Sequence, residues 1–298
     1  MTYSMVARDP STGQLGVAVQ SHFFSVGSIV TWAEPGVGAV ATQSFAEPAY
    51  GPRGLELIRS GRSAAGALGE LIDQDPGEAT RQVAIIDNAG RVAVHTGRAC
   101  IAEAGHQVGD QVSAQANMMR RDTVWRAMVD AYAATQGDLA TRLLAALDAA
   151  EAEGGDIRGR QSAALLVVGG RRSERPWEQR LVDLRVEDHP DPLPELRRLL
   201  ELRRAYDRLN EAEELILSGN VQGALEQYEL ANAAAPDNLE FIFWRGVTLA
   251  AAGRIAEARQ MLDRTYAAHD GWAELLRRLQ VAGLMPDDPE LMRSLLPG

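Results

Sequence analysis

The chain has 298 residues, 46% hydrophobic but only 5% aromatic, enough for one large domain or two ordinary ones whose cores Ala, Val and Leu must fill. All 30 basic residues are Arg, and 41 acidic residues bring the formal charge to -11, which argues against non-specific nucleic-acid binding. Apolar stretches are only strand length, no charged-apolar-small leader is visible and a single Cys excludes an internal disulfide, so a cytoplasmic chain without membrane span or export signal is expected.

The first elements are two β-prone runs, Thr2 to Asp9 and Gln14 to His22, around the turn cluster Pro10-Ser11-Thr12-Gly13. Hairpin pairing places Thr2 beside Ser21 and His22 at the open end. With Met1 removed, Thr2 carries a hydroxyl and an α-amine on one residue; an α-amine titrates near pH ~8, so it can take the hydroxyl's proton. Val26 to Trp32 and Gly38 to Gln43 read as further strands, divided by Glu34-Pro35-Gly36. Pro48 to Pro52 opens two short amphipathic helices broken at Gly61.

Arg81 to Asp87 and Arg91 to His95 form a second hairpin around Asn88-Ala89-Gly90, and Gln111 to Gln115 is another strand. Thr96-Gly97 and Gly105-His106 read as loops. Helical periodicity follows over Arg121 to Tyr132 and Asp138 to Glu153, then Ser162 to Val168 and Leu181 to Val186 complete the strands. Runs of strands alternating with helix pairs indicate an α+β domain over 1–189. From Pro190 the composition turns to helix formers and charge: Asp191 to Pro194 is a linker leading into a helix from Glu195 to Asp207, within a linker-helix region of 190–204.

Over 205–298 a self-similarity appears at a period of 34: Leu215, Gly219, Ala224 and Tyr228 are answered by Leu249, Gly253, Ala258 and Leu262. This looks like two tetratricopeptide (TPR) repeats forming an all-α domain, with Arg245, Glu211 and Thr265 departing from the repeat's preferences and Trp272 to Gly283 as a capping helix.

Five segments carry a wider resemblance: Thr2 to Asp9, Leu15 to Ser21, Gly36 to Ser44, Tyr50 to Leu57 and Gly159 to Val168. Over about residues 2 to 190 the chain resembles the DUF1028 family, grouped with the N-terminal nucleophile (Ntn) hydrolases and related to proteasome β subunits. The resemblance implies a four-layer αββα sandwich and a homodimer. Some members carry a C-terminal segment labelled peptidoglycan-binding, but the visible repeat and the lack of an aromatic sugar platform favour a TPR-like interaction module here.

Amide hydrolysis needs a nucleophile, a base and donors for the oxyanion. Thr2 supplies nucleophile and base. Asn117 stands where Ntn hydrolases commonly place an oxyanion donor, though it equally suits a helix cap. Ser162 and Gln161 enter the strand where related enzymes support the amine. Ser21, His22, Gln43 and Ser44 end strands and, with Gln161, are read as substrate-binding, although a lone His at a strand end such as His22 is more often a surface or structural residue. Proteasome β subunits use a Lys that this chain lacks, leaving Arg8, Arg53 or His22 as electrostatic substitutes.

His95, Cys100 and His106 lie close in sequence without a zinc-ligand pattern; Cys100 is read as a small core residue. No Walker loop, dinucleotide fingerprint or nucleophile elbow occurs, so neither metal nor cofactor is expected. The reading is an Ntn amidohydrolase for a small amide or short peptide-like substrate, with a helical arm over 205–298 for a protein partner. The alternative is a non-catalytic binding or scaffold protein on the same fold, recruiting a protein or cell-wall partner through that arm.

Overall fold

The computed structural model describes residues 2–297; Met1, whose removal the Thr2 chemistry requires, lies outside them. In chain order the elements are β1 (Thr2–Arg8), β2 (Leu15–Ser21), α1 (Gly27–Val30), β3 (Thr31–Glu34), β4 (Gly38–Ser44), α2 (Tyr50–Arg59), α3 (Ala64–Asp73), β5 (Arg81–Asp87), β6 (Val92–Thr96), β7 (Gly105–Gly109) and β8 (Val112–Asn117). Then come α4 (Val124–Ala134), α5 (Leu139–Ala152), β9 (Ser162–Val168) and β10 (Arg180–Val186). The helices α6 (Pro192–Leu217), α7 (Val221–Ala234), α8 (Leu239–Ala251), α9 (Ile255–Ala268), α10 (Gly271–Val281) and α11 (Pro289–Leu295) complete the chain. Contacts divide it into two units meeting at Leu199 and Leu200. No helix among the described residues is long and apolar enough to cross a membrane.

The first unit is built on two antiparallel sheets, ordered β10-β9-β2-β1-β8-β7 and β3-β4-β5-β6. Side-chain alternation sorts each strand into two faces. Val6, Val17, Val19, Ala41, Ala84 and Ile86 face between the sheets and form one buried cluster. The opposite faces carry helices: α5 packs on β1, β2 and β9, α4 on β7 and β8, and α2 and α3 on the four-stranded sheet. Gly16 lets α5 sit close, since a Cβ there would come within 2.7 Å of Leu143.

The first hairpin forms as expected, with the Asp9 carboxylate accepting from the Ser11 amide at 2.8 Å and hydroxyl at 2.7 Å. Three expectations are corrected. The run from Val26 is a turn of helix α1 before strand β3, because Val26 is held by Ser162 Oγ accepting from its amide at 3.0 Å. Gly105 to Gly109 is strand β7, paired with β8, and Thr96 ends β6, so of these expected loop residues only Gly97 lies outside a strand. Pro192 and Pro194 do not delimit a linker; they fall in the first turn of the continuous 26-residue helix α6, where a missing N–H costs nothing.

The second unit is wholly helical. Gly219 (φ +83°) and Gly253 (φ +76°) make equivalent turns 34 residues apart, and Asn220 and Asn238 side chains cap α7 and α8. Ala212, Ala224, Tyr228 and Phe241 fill one core cluster, and Phe243, Leu249, Ala258 and Leu262 fill the next. The off-pattern residues are accommodated: Thr265 is buried with its hydroxyl on the Leu262 carbonyl at 2.7 Å, and Arg245 pairs with Glu229 at 3.5 Å.

On the outer side of β1, buried Tyr3 donates to Glu151 Oε1 of α5 at 2.5 Å. Burial raises the Glu151 carboxyl above its usual range, opposed chiefly by this donation and by Arg160, while burial and Glu151 push the Tyr3 hydroxyl well up. A raised folded pKa means the fold loses stability as pH rises through it, and removing the donor deepens that loss. Tyr3→Phe is therefore expected to cost about 1–2 kcal/mol at pH 8 and less at pH 5; urea unfolding at both pH values checks this, and an equal loss at both would contradict it.

Candidate functional site

Between the sheets, the apolar core gives way at one end to a polar corner. On β1 the alternate residues Thr2, Ser4 and Val6 face the second sheet, so Val6 joins the hydrophobic cluster while Thr2 and Ser4 do not. Thr2 lies opposite Asn117 of β8, and Ser21 of β2 lies opposite Ser162 of β9. The Thr2 hydroxyl donates to Ser21 Oγ at 3.1 Å, closing a row across four adjacent strands that reads Asn117, Thr2, Ser21, Ser162. Thr2 is 5% exposed. The next row holds Ser4 opposite Gln115.

From the facing sheet, Gln43 of β4 and its cross-strand partner Gln82 of β5 reach into this corner. Gln43 Nε2 donates to Gln82 Oε1 at 2.8 Å, the Gln115 carbonyl at 3.2 Å and the Thr2 carbonyl at 3.3 Å. Its Oε1 accepts from Ser4 Oγ at 2.6 Å, which in turn accepts from Gln115 Nε2 at 2.6 Å. Asn117 Nδ2 donates to Gln82 Oε1 at 2.9 Å and to the Thr2 carbonyl at 3.4 Å. Gln82 Nε2 donates to Thr96 Oγ1 at 3.0 Å and to the Gly105 and Ala116 carbonyls at 3.1 and 2.9 Å. These bonds fix which way each amide points, and they run between neutral groups throughout.

Asn117 is thus a strand residue inside a network rather than a helix cap, since the next helix begins only at Val124. Ser162 is engaged on both sides of its hydroxyl: it donates to the Phe23 carbonyl at 2.5 Å and accepts from Val26 N, tying down the segment after β2. Its bonds do not run to Thr2. Gln161 Nε2 donates to Asp188 Oδ1 at 3.1 Å, and the His22 ring meets the Arg160 carbonyl at 3.3 Å. The His22 amide donates to buried Asp156 at 3.1 Å, whose carboxylate is neutralised by Arg158 at 3.1 Å. Ser44 follows Gln43 at φ +71°.

Of the suggested Lys substitutes, the two arginines are elsewhere. Arg8 is at the far end of β1, donating to Gln111 at 2.7 Å, and Arg53 of α2 donates to Gln74 at 2.6 Å. Cys100 is half-buried, with its thiol on the Arg81 carbonyl at 3.3 Å. His95 turns to Glu78, whereas His106 Nδ1 lies 2.9 Å from Thr96 Oγ1 and so touches the outer edge of the Gln82 network. Burial, then neighbouring His95, holds the His106 ring below its ordinary pKa, which suits a neutral Nδ1 accepting from the Thr96 hydroxyl. Among the described residues no three His, Cys, Asp or Glu gather as metal ligands.

Sequence reasoning overlooked Ser4, Gln82 and Gln115, and placed Thr96 in a loop rather than on a strand. The available signal was the period of two: Ser4 follows Thr2, and Gln115 precedes Asn117, on the same strand face. Gln82 is the hub, since its carbonyl accepts from two amides and its amide serves Thr96 and two backbone carbonyls. Gln82→Leu leaves Asn117 Nδ2 and Thr96 short of partners and is expected to destabilise the first unit by at least ~2 kcal/mol, because each buried orphan costs roughly 1–3 kcal/mol. Denaturant unfolding checks this against the exposed control Gln107→Leu, which should stay within about 0.5 kcal/mol.

A model of DUF1028, a family of unknown function, matches residues 2–196, and a tetratricopeptide repeat model matches residues 215–282. Protein SPO2555 from Silicibacter pomeroyi, a DUF1028 protein of known crystal structure, is similar at 33% identity with a TM-score of 0.60, covering 67% of this chain and 88% of that one. No protein of curated function matches. Matched over its whole sheet-rich unit in sequence, and in fold by that relative, the chain belongs to the DUF1028 family and carries tetratricopeptide repeats after the family's domain.

Proposed function

We propose that the DUF1028 unit is an N-terminal nucleophile amidohydrolase for a small amide or short peptide-like substrate, and that its two sheets with their helical layers are the αββα sandwich of that class. The observation that carries the reading is the placement of the Thr2 hydroxyl: first residue of a central strand, in one row with Asn117, Ser21 and Ser162. Once the residue before it is removed, Thr2's own amine stands next to its hydroxyl.

The chemistry then follows in two halves. Thr2 Oγ1 attacks the substrate carbonyl while its proton passes to the α-amine, directly or through one water. The resulting ammonium protonates the leaving amine as the C–N bond breaks, leaving an ester on Thr2. Water, deprotonated by the same amine, attacks that ester and releases the acid. Of Asn117's two donated bonds, the 3.4 Å one to the Thr2 carbonyl is the weaker, so that hydrogen is the one able to turn to the oxyanion. Gln43 holds the Thr2 carbonyl from the other sheet. Ser162 acts by fixing the segment after β2, with Gln161 beside it, while Ser21, His22 and Ser44 border the substrate. Without a Lys beside it, the amine lacks the neighbouring charge that proteasome-like peptidases use, which fits a small-substrate amidase rather than such a peptidase.

A second reading, a scaffold whose helical arm recruits a partner in the cytoplasm, is favoured by a groove of about 430 Å3 in the second unit. Its lining includes Ile216, Leu217, Trp244 and Val247, with Glu213 at its edge. The two readings separate cleanly. Intact mass of untagged protein is expected to show loss of Met1, and Thr2→Ala is expected to lower hydrolysis of small anilides by at least ~10³-fold with unfolding unchanged. Retained Met1, or a Thr2→Ala protein as active as wild type, leaves only the scaffold.

A further inference from the structure

The large apolar side chains that the first unit leaves in water are not scattered. Among the described residues seven are exposed: Phe23, Phe24, Phe45, Ile101, Val108, Ile157 and Trp177. Five of them surround the polar corner. Phe23 and Phe24, 50% and 62% exposed, follow Ser21 and His22, and the Phe23 carbonyl is the acceptor of the Ser162 hydroxyl. Phe45, 58% exposed, is two residues beyond Gln43. Ile101 and Ile157 meet at the residue after Asn117: the Met118 amide donates to the Ile101 carbonyl at 3.0 Å, and the Ile157 amide to the Met118 carbonyl at 3.3 Å.

Backbone strain accompanies each of these segments. Among the described residues four non-glycine positions have positive φ, and three are Ser25 (+54°), Ser44 (+71°) and Met118 (+57°), next to Phe24, next to Phe45, and between Ile101 and Ile157. A left-handed conformation at Met or Ser is costly and persists only where its surroundings impose it. The fold therefore spends strain and unburied apolar surface at one end of the sheets, around Thr2.

Charge is cancelled at the same place. The polar corner's side chains are neutral amides and hydroxyls, and two basic groups bordering it are paired: Arg81, on the Phe45 carbonyl, with Asp75 at 2.8 Å, and Arg158 with Asp156 at 3.1 Å. Apart from the Thr2 amine that the mechanism itself uses, these side chains offer a charged substrate group no counter-charge, whereas an aromatic or aliphatic group would be removed from water by the apolar rim.

Resting on the amidohydrolase reading, we infer that the substrate is an uncharged amide carrying an aromatic or medium-length aliphatic arm, received by the collar of Phe23, Phe24, Phe45, Ile101 and Ile157 above Thr2. The test separates arm recognition from catalysis by measuring both. Binding of phenylacetamide, acetamide and succinamate to the full-length Thr2→Ala protein is followed by calorimetry. Phenylacetamide is expected to bind at least tenfold tighter than either control, and Phe23→Ser with Phe45→Ser to remove at least fivefold of that preference; both positions are exposed, so folding is retained.

Equal binding of the three amides, or tightest binding of succinamate, overturns the inference. So does a loss of dimer on sedimentation in Phe23→Ser with Phe45→Ser while affinity stays constant, since a second copy then covers the collar. Turnover is read separately as ammonia release from phenylacetamide and acetamide on wild type. Phenylacetamide binding without any Thr2-dependent turnover keeps the collar and removes the hydrolase, whereas equal turnover of both amides keeps the hydrolase and removes the collar.

Discussion

Buried polar groups must find partners, and in this fold that requirement joins the two sheets. Gln43 and Gln82 belong to the four-stranded sheet, yet their amides bond to Ser4, Asn117 and the backbone of Thr2 and Gln115 on the other. A one-residue slip of either sheet would turn these amides outward and put apolar residues against carbonyls. The network thus sets register between layers that hydrophobic packing alone, being non-directional, would leave free to slide. Everything proposed for Thr2 depends on that register, because it orients the Thr2 carbonyl and with it the hydroxyl toward Ser21.

Much of this could be read from the residues. The apolar runs of β1, β2, β4 and β9 are of strand length, and Thr2, Ser21, Gln43, Asn117 and Ser162 all stand at or near strand ends, where a polar residue breaks an apolar pattern. They converge because each strand runs to the same end of its sheet. What stayed hidden depends on register between distant strands. Gln82 opens its strand as an ordinary polar residue until its pairing with Gln43 is known, and Ser162 looks free until the segment after β2 folds back over it. Local signals also misled at α1, where a β-branched run is bent into a helical turn by tertiary hydrogen bonds, and at α6, where prolines inside the first turn resemble a break.

The neutrality of the corner gives it a chemical character. Amide and hydroxyl networks orient without titrating, so their geometry is constant over the pH range in which an α-amine changes charge. The titratable groups sit at the edges instead: Glu151 behind β1, His106 beyond Thr96, Asp156 beneath His22. In the proposed reaction, acid and base work is thereby left to the main-chain terminus of Thr2 rather than to a side chain.

The pairing of Thr2 with Asn117, and of Ser21 with Ser162, has a consequence for biogenesis. During synthesis the first hairpin is complete long before β8 and β9 leave the ribosome, so β1 spends that interval with one edge unpaired and its start open to solvent. Afterwards Thr2 is locked between two strands and almost fully covered. On the proposed nucleophile reading, the nascent chain is the form in which the start of β1 is open to an aminopeptidase, and the speed of elongation through the intervening hundred-odd residues would then bear on how much of the protein carries a free threonine amine.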